Sequence, residues 1–351
     1  MSAATNRIAE DQGLAPFTGA LARWLCREMR ADEVLVRRLE RLPRGAIQDN
    51  WSLDVDVVAG PTSGAHAFVL RTDAPSGVSA SLSRPQEFAV LRVAHANGVS
   101  APQPLYLCRD RDVIGREFFI MQRMPGLTAG HRLTREAALV PDGNALAEAL
   151  GANLARVHAI RPPCTGLEGL APPAADHARA TIAEYRAYLD ALDDAFPALE
   201  WGSRWCELNA PPPAAPTLIH RDYRTGNYLV DEGRLSAVLD WEFAGWGDAR
   251  EDIGWFTARC WRFAAPDREA GGLAPVEPFL CGYERVAGRR ATRAELDYWQ
   301  VMAHLRWANI ALQQAQRHAA GGERSLELAL TGRIVHELEY EVLHLIQESA
   351  Q

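Results

Sequence analysis

The chain has 351 residues, 48% hydrophobic and 23% charged, which is typical of a globular protein long enough for two separate cores. Its formal net charge of -8 at pH 7 disfavours a nucleic-acid partner, and no basic run suggests otherwise. The six cysteines are scattered, and the chain lacks both an apolar signal core and a run of about 18 apolar residues, so we expect a cytoplasmic protein without a membrane partner.

The first part of the sequence predicts a helical segment followed by strands. Residues 14–41 carry apolar and charged positions at helical spacing, which predicts one or two helices in an N-terminal segment, 1–41, that packs on a small lobe. After Leu42 the period changes, because apolar and polar residues alternate over 51–57. This alternation predicts a half-buried strand, preceded by a turn at Gly45.

A cation and a carboxylate in this lobe are candidates for an ion pair. The run 67–71 predicts a strand that ends in Arg71. Ser83 followed by Gln86 is typical of a helix N-terminus, and Glu87 heads the apolar stripe of that helix. A carboxylate that faces a core requires a cation, for which Arg71 is the candidate. The alternative is a solvated Glu87, stabilised by the helix N-terminus.

Further elements follow in order. Strands are predicted over 101–108 and 116–121, so the small lobe should end near residue 126. Helical patterns then dominate the chain. These patterns cover 143–159, 177–195, 292–319 and 324–348.

The stretch 216–242 carries the residues that point to chemistry. Two short apolar runs, 228–230 and 235–239, are joined by a turn that contains a glycine, which predicts a β-hairpin. Pairing about this turn brings Asn227, just before the first strand, beside Asp240, just after the second. Two oxygen-bearing side chains are therefore expected at the open end of the hairpin.

The side chains of this stretch suit phosphate chemistry. Mg2+ prefers oxygen ligands and is usually held by one or two protein groups plus substrate phosphates, which Asn227 and Asp240 can supply. Asp222 lies in the loop before them, where its carboxylate can take the proton of an acceptor hydroxyl. Arg224 either neutralises charge on the transferring phosphate or is a solvated loop arginine. We expect His220 to pack beneath the loop as a structural residue.

The chemistry-bearing residues follow the order of the kinase signature H-x-D-x-x-x-x-N and a later Asp. They are His220, Asp222, Asn227 and Asp240. From about Leu42 to the C-terminal helices, the chain resembles the aminoglycoside phosphotransferase and choline kinase-like family, and within it the branch related to the kinase-like domain of some acyl-CoA dehydrogenases. Asp240-Trp241-Glu242 stands where protein kinases have D-F-G, and no A-P-E follows. Regulation by loop phosphorylation is therefore not expected.

The resemblance implies an α+β, bilobal protein-kinase-like fold. Its small antiparallel-sheet N-lobe would span 42–126, with a hinge near 122–126. Its larger, mainly helical C-lobe would span 127–351 and contain the catalytic loop, the metal site and the acceptor pocket.

The resemblance also implies ATP and Mg2+ as cofactors. Arg71, paired with Glu87, would hold the nucleotide phosphates, and the turn at Gly45 would cover them. Backbone groups of Gln122 and Met124 would hydrogen-bond adenine.

The resemblance bears on two further positions, and the late tryptophans are interpreted from their packing. Asp252, in Asp252-Ile253-Gly254-Trp255, is expected to anchor the catalytic loop by hydrogen bonds. Arg221 stands where close relatives often have glycine. Most of the late tryptophans are expected in the core, and one or two could line an acceptor pocket.

These features predict an ATP-dependent, Mg2+-requiring phosphotransferase that acts on a hydroxyl of a small molecule, with Asp222 as the group that orients and deprotonates the acceptor. The acceptor would be an aminoglycoside-like antibiotic or a hydroxyacyl-CoA-type metabolite. Two alternatives stay open: a nucleotide-binding, pseudokinase-like module without transfer activity, and a metal-dependent hydrolase with His220 and Asp222 as ligands. The oligomeric state is left open.

Overall fold

The computed structural model describes residues 17–42, 48–73, 81–263, 265–321 and 325–349. Contacts divide the described residues into two compact units. The first comprises residues up to Arg92 together with Pro102–Met124, and the second comprises Val93–Ala101 and the residues from Pro125 onward. The predicted turn at Gly45 lies outside the described residues.

A five-stranded antiparallel sheet forms the centre of the first unit. Its strands are β1 (Glu33–Arg41), β2 (Gln48–Val58), β3 (Gly64–Asp73), β4 (Pro104–Cys108) and β5 (Phe118–Gln122). Their order across the sheet is β1-β2-β3-β5-β4. In β2, Leu53, Val55 and Val57 are buried while Asp54 and Asp56 are partly exposed, so the predicted alternation is confirmed over 53–57. It is wrong at the start of the predicted strand, where Ser52 is buried and Trp51 is half-buried.

The prediction of helices across 14–41 is only half right. Residues 17–29 form helix α1, and its Leu21 is fully buried in the core against the sheet. The segment Glu33–Arg41 is instead the edge strand β1, which pairs with β2 along its whole length. Backbone pairing with β2, the next strand of the chain, outweighs the helical spacing of its charges, because local propensity is a weak prior.

Helix α2 (Arg84–Ala96) begins where the capping signal predicts. The backbone N–H of Ser83 donates to Oε1 of Gln86 at 3.0 Å. The predicted strands over 67–71, 101–108 and 116–121 correspond to β3, β4 and β5 and are confirmed.

Helices dominate the second unit. They are α3 (Gly130–Leu133), α4 (Gly143–His158), α5 (His177–Asp190), α6 (Pro197–Asn209), α7 (Ala249–Thr257), α8 (Val276–Ala287), α9 (Arg293–Ala319), α10 (Leu326–Thr331) and α11 (Val335–Ser349). Buried side chains of α5, α6, α9 and α11 form one large core. Helices α3, α6, α7 and α8 were not predicted from the sequence. None of the described helices is both long enough and apolar enough to cross a membrane.

The predicted helix over 324–348 is wrong as a single element. Its described part is divided into α10 and α11 by a 3-10 turn at Gly332–Ile334. A Cβ at Gly332 would lie 2.5 Å from the Cβ of Ala315, so the chain approaches α9 here more closely than any other residue type allows.

Two small antiparallel pairs support the loop of interest. Strand β6 (Thr217–Ile219) pairs with β9 (Gly245–Gly247), and β7 (Tyr228–Asp231) pairs with β8 (Arg234–Val238). The predicted hairpin is therefore confirmed. Both turn residues, Glu232 at φ 46° and Gly233 at φ 75°, have the positive φ that a two-residue hairpin turn favours.

Candidate active site

A buried histidine supports the loop between β6 and β7 from below. His220 is fully buried, its Nε2–H donates to the Leu239 carbonyl at 2.9 Å, and its Nδ1 accepts the Asp222 N–H at 3.2 Å. Burial lowers the pKa of His220, which keeps the ring neutral. Both nitrogens are thus engaged, as expected for a structural residue. The hydrolase alternative, which needs His220 as a metal ligand, loses its support.

Asp252 on α7 anchors the same loop, as predicted. Its fully buried carboxylate accepts the backbone N–H of His220 at 2.6 Å and of Arg221 at 2.7 Å. His158 Nε2 also donates to Asp252 at 3.1 Å, and the Tyr283 hydroxyl donates to His158 Nδ1 at 2.8 Å. The contribution of His158 and Tyr283 was missed, because nothing in their local sequence relates them to a loop so distant in the chain.

Two residues of this region have a strained backbone. Arg221 has φ 64° and Asp240 has φ 60°, both in the left-handed region. Such a conformation costs a residue other than glycine about 1–3 kcal/mol, and it persists chiefly at functional sites. Asp tolerates it better than most residues, but a long side chain such as Arg gains nothing locally from it.

The Asp222 carboxylate is held by three donors. Its Oδ1 accepts Trp255 Nε1–H at 2.9 Å and Arg224 Nε–H at 3.0 Å, and its Oδ2 accepts Nδ2–H of Asn227. A carboxylate oxygen can accept two hydrogen bonds, so these donors leave one position at Oδ2, and the side chain is 16% exposed. The group is therefore fixed in orientation and can still accept one hydroxyl hydrogen. Trp255 was not predicted as a partner of Asp222, because 33 positions separate the two residues in the chain.

Arg224 is ordered rather than solvated. Its guanidinium carbon lies 4.4 Å from the centroid of the Trp261 ring, and its side chain is 26% exposed. With the ion pair to Asp222, these contacts make the solvated alternative wrong. A role for Arg224 at the phosphate stays a prediction.

Asn227 and Asp240 lie at the same open end of the hairpin. The carbonyl of Asn227 accepts the N–H of Leu239 at 2.8 Å, and Asp240 is the next residue. Because Nδ2 of Asn227 is committed to Asp222, Oδ1 is the atom that it can offer to a cation. An amide oxygen and a carboxylate fit the oxygen preference of Mg2+. Among the described residues no group of three or more His, Cys, Asp or Glu is arranged to hold a metal. The Mg2+ site stays a prediction.

In the first unit, the predicted pair of Arg71 and Glu87 is confirmed. Arg71 Nε lies 2.8 Å from Glu87 Oε1, and both side chains are 3% exposed, so the solvated alternative for Glu87 is wrong. Sequence reasoning missed a second cation, Arg84, which also donates to Glu87 and lies 2.9 Å from Asp73. No signal in the sequence indicated that Arg84, three residues before Glu87, would be buried. Nucleotide binding by Arg71 and Glu87 stays a prediction.

The predicted adenine contacts lie at the last residue of β5 and just after it. The N–H of Gln122 donates to the Gln103 carbonyl at 2.9 Å, so only its carbonyl could contact a base. The N–H of Met124 has no hydrogen-bond partner among the residues that the structure describes. Both contacts remain predictions.

Comparison with known proteins adds independent information. A family model described as "Phosphotransferase enzyme family" matches residues 38–288. Acyl-CoA dehydrogenase family member 11 of Pongo abelii is 27% identical over 287 residues, which cover 78% of this chain and 37% of that protein. The chain thus spans little more than a third of the length of this relative.

Solved structures share the fold. A Ralstonia eutropha JMP134 protein assigned to the aminoglycoside phosphotransferases has a TM-score of 0.74 at 20% identity, covering 94% of this chain and 98% of its own. A thermostable mutant of aminoglycoside phosphotransferase APH(4)-Ia, in a ternary complex with ADP and hygromycin B, has a TM-score of 0.59 at 17% identity, covering 95% and 99%. The predicted bilobal, protein-kinase-like α+β fold is confirmed.

Proposed function

Because the chain belongs to the phosphotransferase enzyme family, we propose that it transfers the γ-phosphate of ATP to a hydroxyl group of a small molecule. The main support is the Asp222 carboxylate, which three donors orient while one position at Oδ2 stays available. A protein that only binds nucleotide needs no such oriented carboxylate.

Asp222 acts as the proton acceptor in this proposal. The acceptor hydroxyl donates to Oδ2, its oxygen forms a bond to the γ-phosphorus, and the bond from that phosphorus to the ADP oxygen breaks. The hydroxyl proton passes to Asp222, and ADP leaves. Little covalent chemistry falls to the protein in such a transfer, so positioning and charge stabilisation supply most of the catalysis.

Cationic groups would balance the phosphate charge. Arg224 lies against Asp222 and can turn a guanidinium N–H toward a transferring phosphoryl group. Arg71, held in place by Glu87, would bind nucleotide phosphates. Asn227 Oδ1 and Asp240 would hold Mg2+, whose charge neutralises phosphate oxygens when it is bound.

Two classes of acceptor come from the relatives. The name of the Pongo abelii protein suggests an acyl-CoA metabolite that carries a hydroxyl group, and the hygromycin B of the APH(4)-Ia complex suggests an aminoglycoside-like antibiotic.

An ADP-release assay with ATP and Mg2+ tests the proposal on a panel of hydroxyl compounds from both classes. We expect Asp222→Asn to lower kcat by about 100-fold or more, with ADP affinity, measured by calorimetry, nearly unchanged. Asp194→Asn is the matched control, because Asp194 is exposed in the same unit. Undiminished turnover by Asp222→Asn would contradict the proposal. Nucleotide binding without transfer to any compound would favour the pseudokinase-like module instead.

A further inference from the structure

Arg221 directly precedes Asp222, and nothing described so far uses its side chain. The side chain is partly buried, and its Nε is buried without a hydrogen-bond partner among the described residues. Its guanidinium carbon lies 3.8 Å from the position that a Cβ at Gly245 would occupy, so it is placed against β9. Arg221 thus has a strained backbone conformation, and its guanidinium makes no ion pair within the described part of the chain.

A second cation lies beside Arg221. Arg306 on α9 donates through NH1 to the Arg221 carbonyl, and the same nitrogen lies 3.1 Å from Glu251. Glu251 also accepts a hydrogen bond from His177. Although burial acts to raise the pKa of Glu251, the charges of His177, Arg221 and Arg306 hold it at about 2. The single carboxylate of Glu251 therefore interacts electrostatically with His177, Arg221 and Arg306.

The other charged groups near this cluster do not restore the balance. Asp248 is bound by Arg250, whose Nε lies 2.9 Å from one of its oxygens. Glu184 on α5 is exposed, so solvent screens its charge. The buried carboxylate of Asp252, also beside Arg221, accepts the backbone N–H groups of His220 and Arg221 rather than a guanidinium N–H. Among the described residues, no carboxylate lies within ion-pair distance of the Arg221 guanidinium.

This positive cluster is close to the proposed proton acceptor. The guanidinium carbon of Arg306 lies 4.7 Å from the centroid of the Trp255 ring, and the indole N–H of Trp255 donates to Asp222 at 2.9 Å. One indole ring thus separates Arg306 from Asp222. An anionic group bound here would be within reach of a hydroxyl group of the same small molecule placed at Asp222.

We propose that Arg221 and Arg306 form a subsite for an oxyanion, a carboxylate or a phosphate ester, on the phosphate acceptor. A guanidinium group presents paired N–H donors that match the two oxygens of such a group. The acceptor is then an anionic hydroxyl compound rather than a polycationic antibiotic. The statement that the bound oxyanion belongs to the phosphate acceptor rests on the proposed function. The statement that Arg221 and Arg306 bind an oxyanion does not depend on it.

The first experiment uses sulfate as the probe and requires no turnover. Melting temperatures are measured against sodium sulfate and against sodium chloride at equal ionic strength, for the wild type and for Arg221→Asn, since Asn tolerates a positive φ. We expect a saturable stabilisation by sulfate in the wild type that Arg221→Asn loses. Arg333→Asn is the matched control, because Arg333 is an exposed arginine of the same unit, and it should respond like the wild type. Equal sulfate responses in all three proteins would overturn the proposal.

The second experiment identifies the source of the oxyanion. Hydroxycarboxylates are compared with their amides, and phosphorylated alcohols, including coenzyme A thioesters, with their dephosphorylated forms. For the preferred type of compound, we expect the uncharged derivative to have a KM about tenfold higher or more than the charged compound. In Arg221→Asn the two KM values should be equal, and the KM for ATP should be unchanged. Equal KM values for charged and neutral partners would overturn the acceptor assignment. If no compound is phosphorylated, the proposed function fails, and the sulfate response alone decides whether the oxyanion site exists.

Discussion

Trp255 shows how a single side chain can prepare a carboxylate for chemistry. Its indole N–H donates to Asp222 at 2.9 Å, while its ring face is covered by Arg306. A tryptophan in this position provides both packing and a hydrogen-bond donor. Because the same Oδ1 also accepts from Arg224, rotation of the carboxylate would break two hydrogen bonds at once.

We predict that Trp255→Phe lowers kcat about tenfold and leaves the KM for ATP unchanged. The substitution removes the donor to Asp222 and keeps most of the ring packing, so the carboxylate loses its fixed orientation. Steady-state kinetics and a thermal melt measure the two effects separately. Trp307→Phe is the control, since Trp307 packs in the same aromatic cluster, 5.0 Å from Trp261 between ring centroids. Equal losses of kcat in both variants would indicate a packing effect only.

The ion pair of His177 and Glu251 should make stability depend on pH. Burial acts to lower the pKa of His177, but the charge and hydrogen bond of Glu251 outweigh it, so the pKa is raised above the usual 6.5. A raised pKa stabilises the folded state fully below the unfolded value, and this stabilisation is lost as the pH rises through the folded value.

We therefore predict that His177→Gln lowers the melting temperature most below about pH 6 and progressively less at alkaline pH. Melts of the variant and the wild type between pH 5 and pH 9 measure this difference. His336→Gln is the control, because the His336 side chain is 87% exposed. A difference that is constant with pH would show that His177 contributes packing rather than charge.

At the scale of elements, α7 makes two different contacts with the loop between β6 and β7. It carries Asp252, which holds the loop backbone, and Trp255, which holds the Asp222 side chain. Between them, Gly254 allows α7 to approach α9, because a Cβ there would lie 2.4 Å from the Cβ of Trp299. The position of one helix thus sets both contacts.

We predict that Gly254→Ala lowers the free energy of unfolding by about 1–3 kcal/mol, because the added methyl group separates α7 from α9. Since Asp252 and Trp255 move with α7, kcat should fall as well. Denaturant unfolding and steady-state kinetics measure the two effects. Gly19→Ala in α1 is the control, because a Cβ at Gly19 meets only the end of the Arg23 side chain, at 3.6 Å, and a helical alanine should be neutral or stabilising. A Gly254→Ala protein as stable as the wild type would contradict the tight packing.

At the scale of the whole molecule, the predicted site residues are divided between the two units. Arg71 and Glu87 belong to the first, and Asp222, Asn227 and Asp240 belong to the second. The proposed function assigns nucleotide binding to the first set and phosphate transfer to the second. The lobe boundary near residue 126 stays a prediction.

This division predicts separable kinetic effects. Glu87→Gln removes the ion pair that positions Arg71. We therefore expect the KM for ATP to rise about tenfold while the KM for the acceptor is unchanged. Initial rates with each substrate varied in turn measure both constants. Glu33→Gln is the control, because Glu33 is exposed in the same unit. A rise in the acceptor KM alone would contradict the assignment of Arg71 and Glu87 to the nucleotide.

Much of the fold and part of the candidate site follow from the sequence alone. The hairpin of β7 and β8, the alternation of β2 over 53–57 and the start of α2 were predicted correctly, because turn residues, side-chain period and caps act over a few positions. The pair of Arg71 and Glu87 was also foreseen, since a carboxylate on an apolar helix face requires a cation. The predictions of a helix at β1 and of an unbroken helix through Gly332 were wrong, because pairing with β2 and packing against α9 outweigh the local spacing.

Tertiary structure alone decided which side chains surround Asp222. Trp255 lies 33 positions from Asp222, and Arg306 lies 85 positions from Arg221, so no local pattern relates them. The sequence determined which carboxylate and which amide are the candidates for the proposed chemistry, because their spacing in one loop and one hairpin is local. The charge around them is set by helices that pack from distant parts of the chain, and only the folded core brings those helices together.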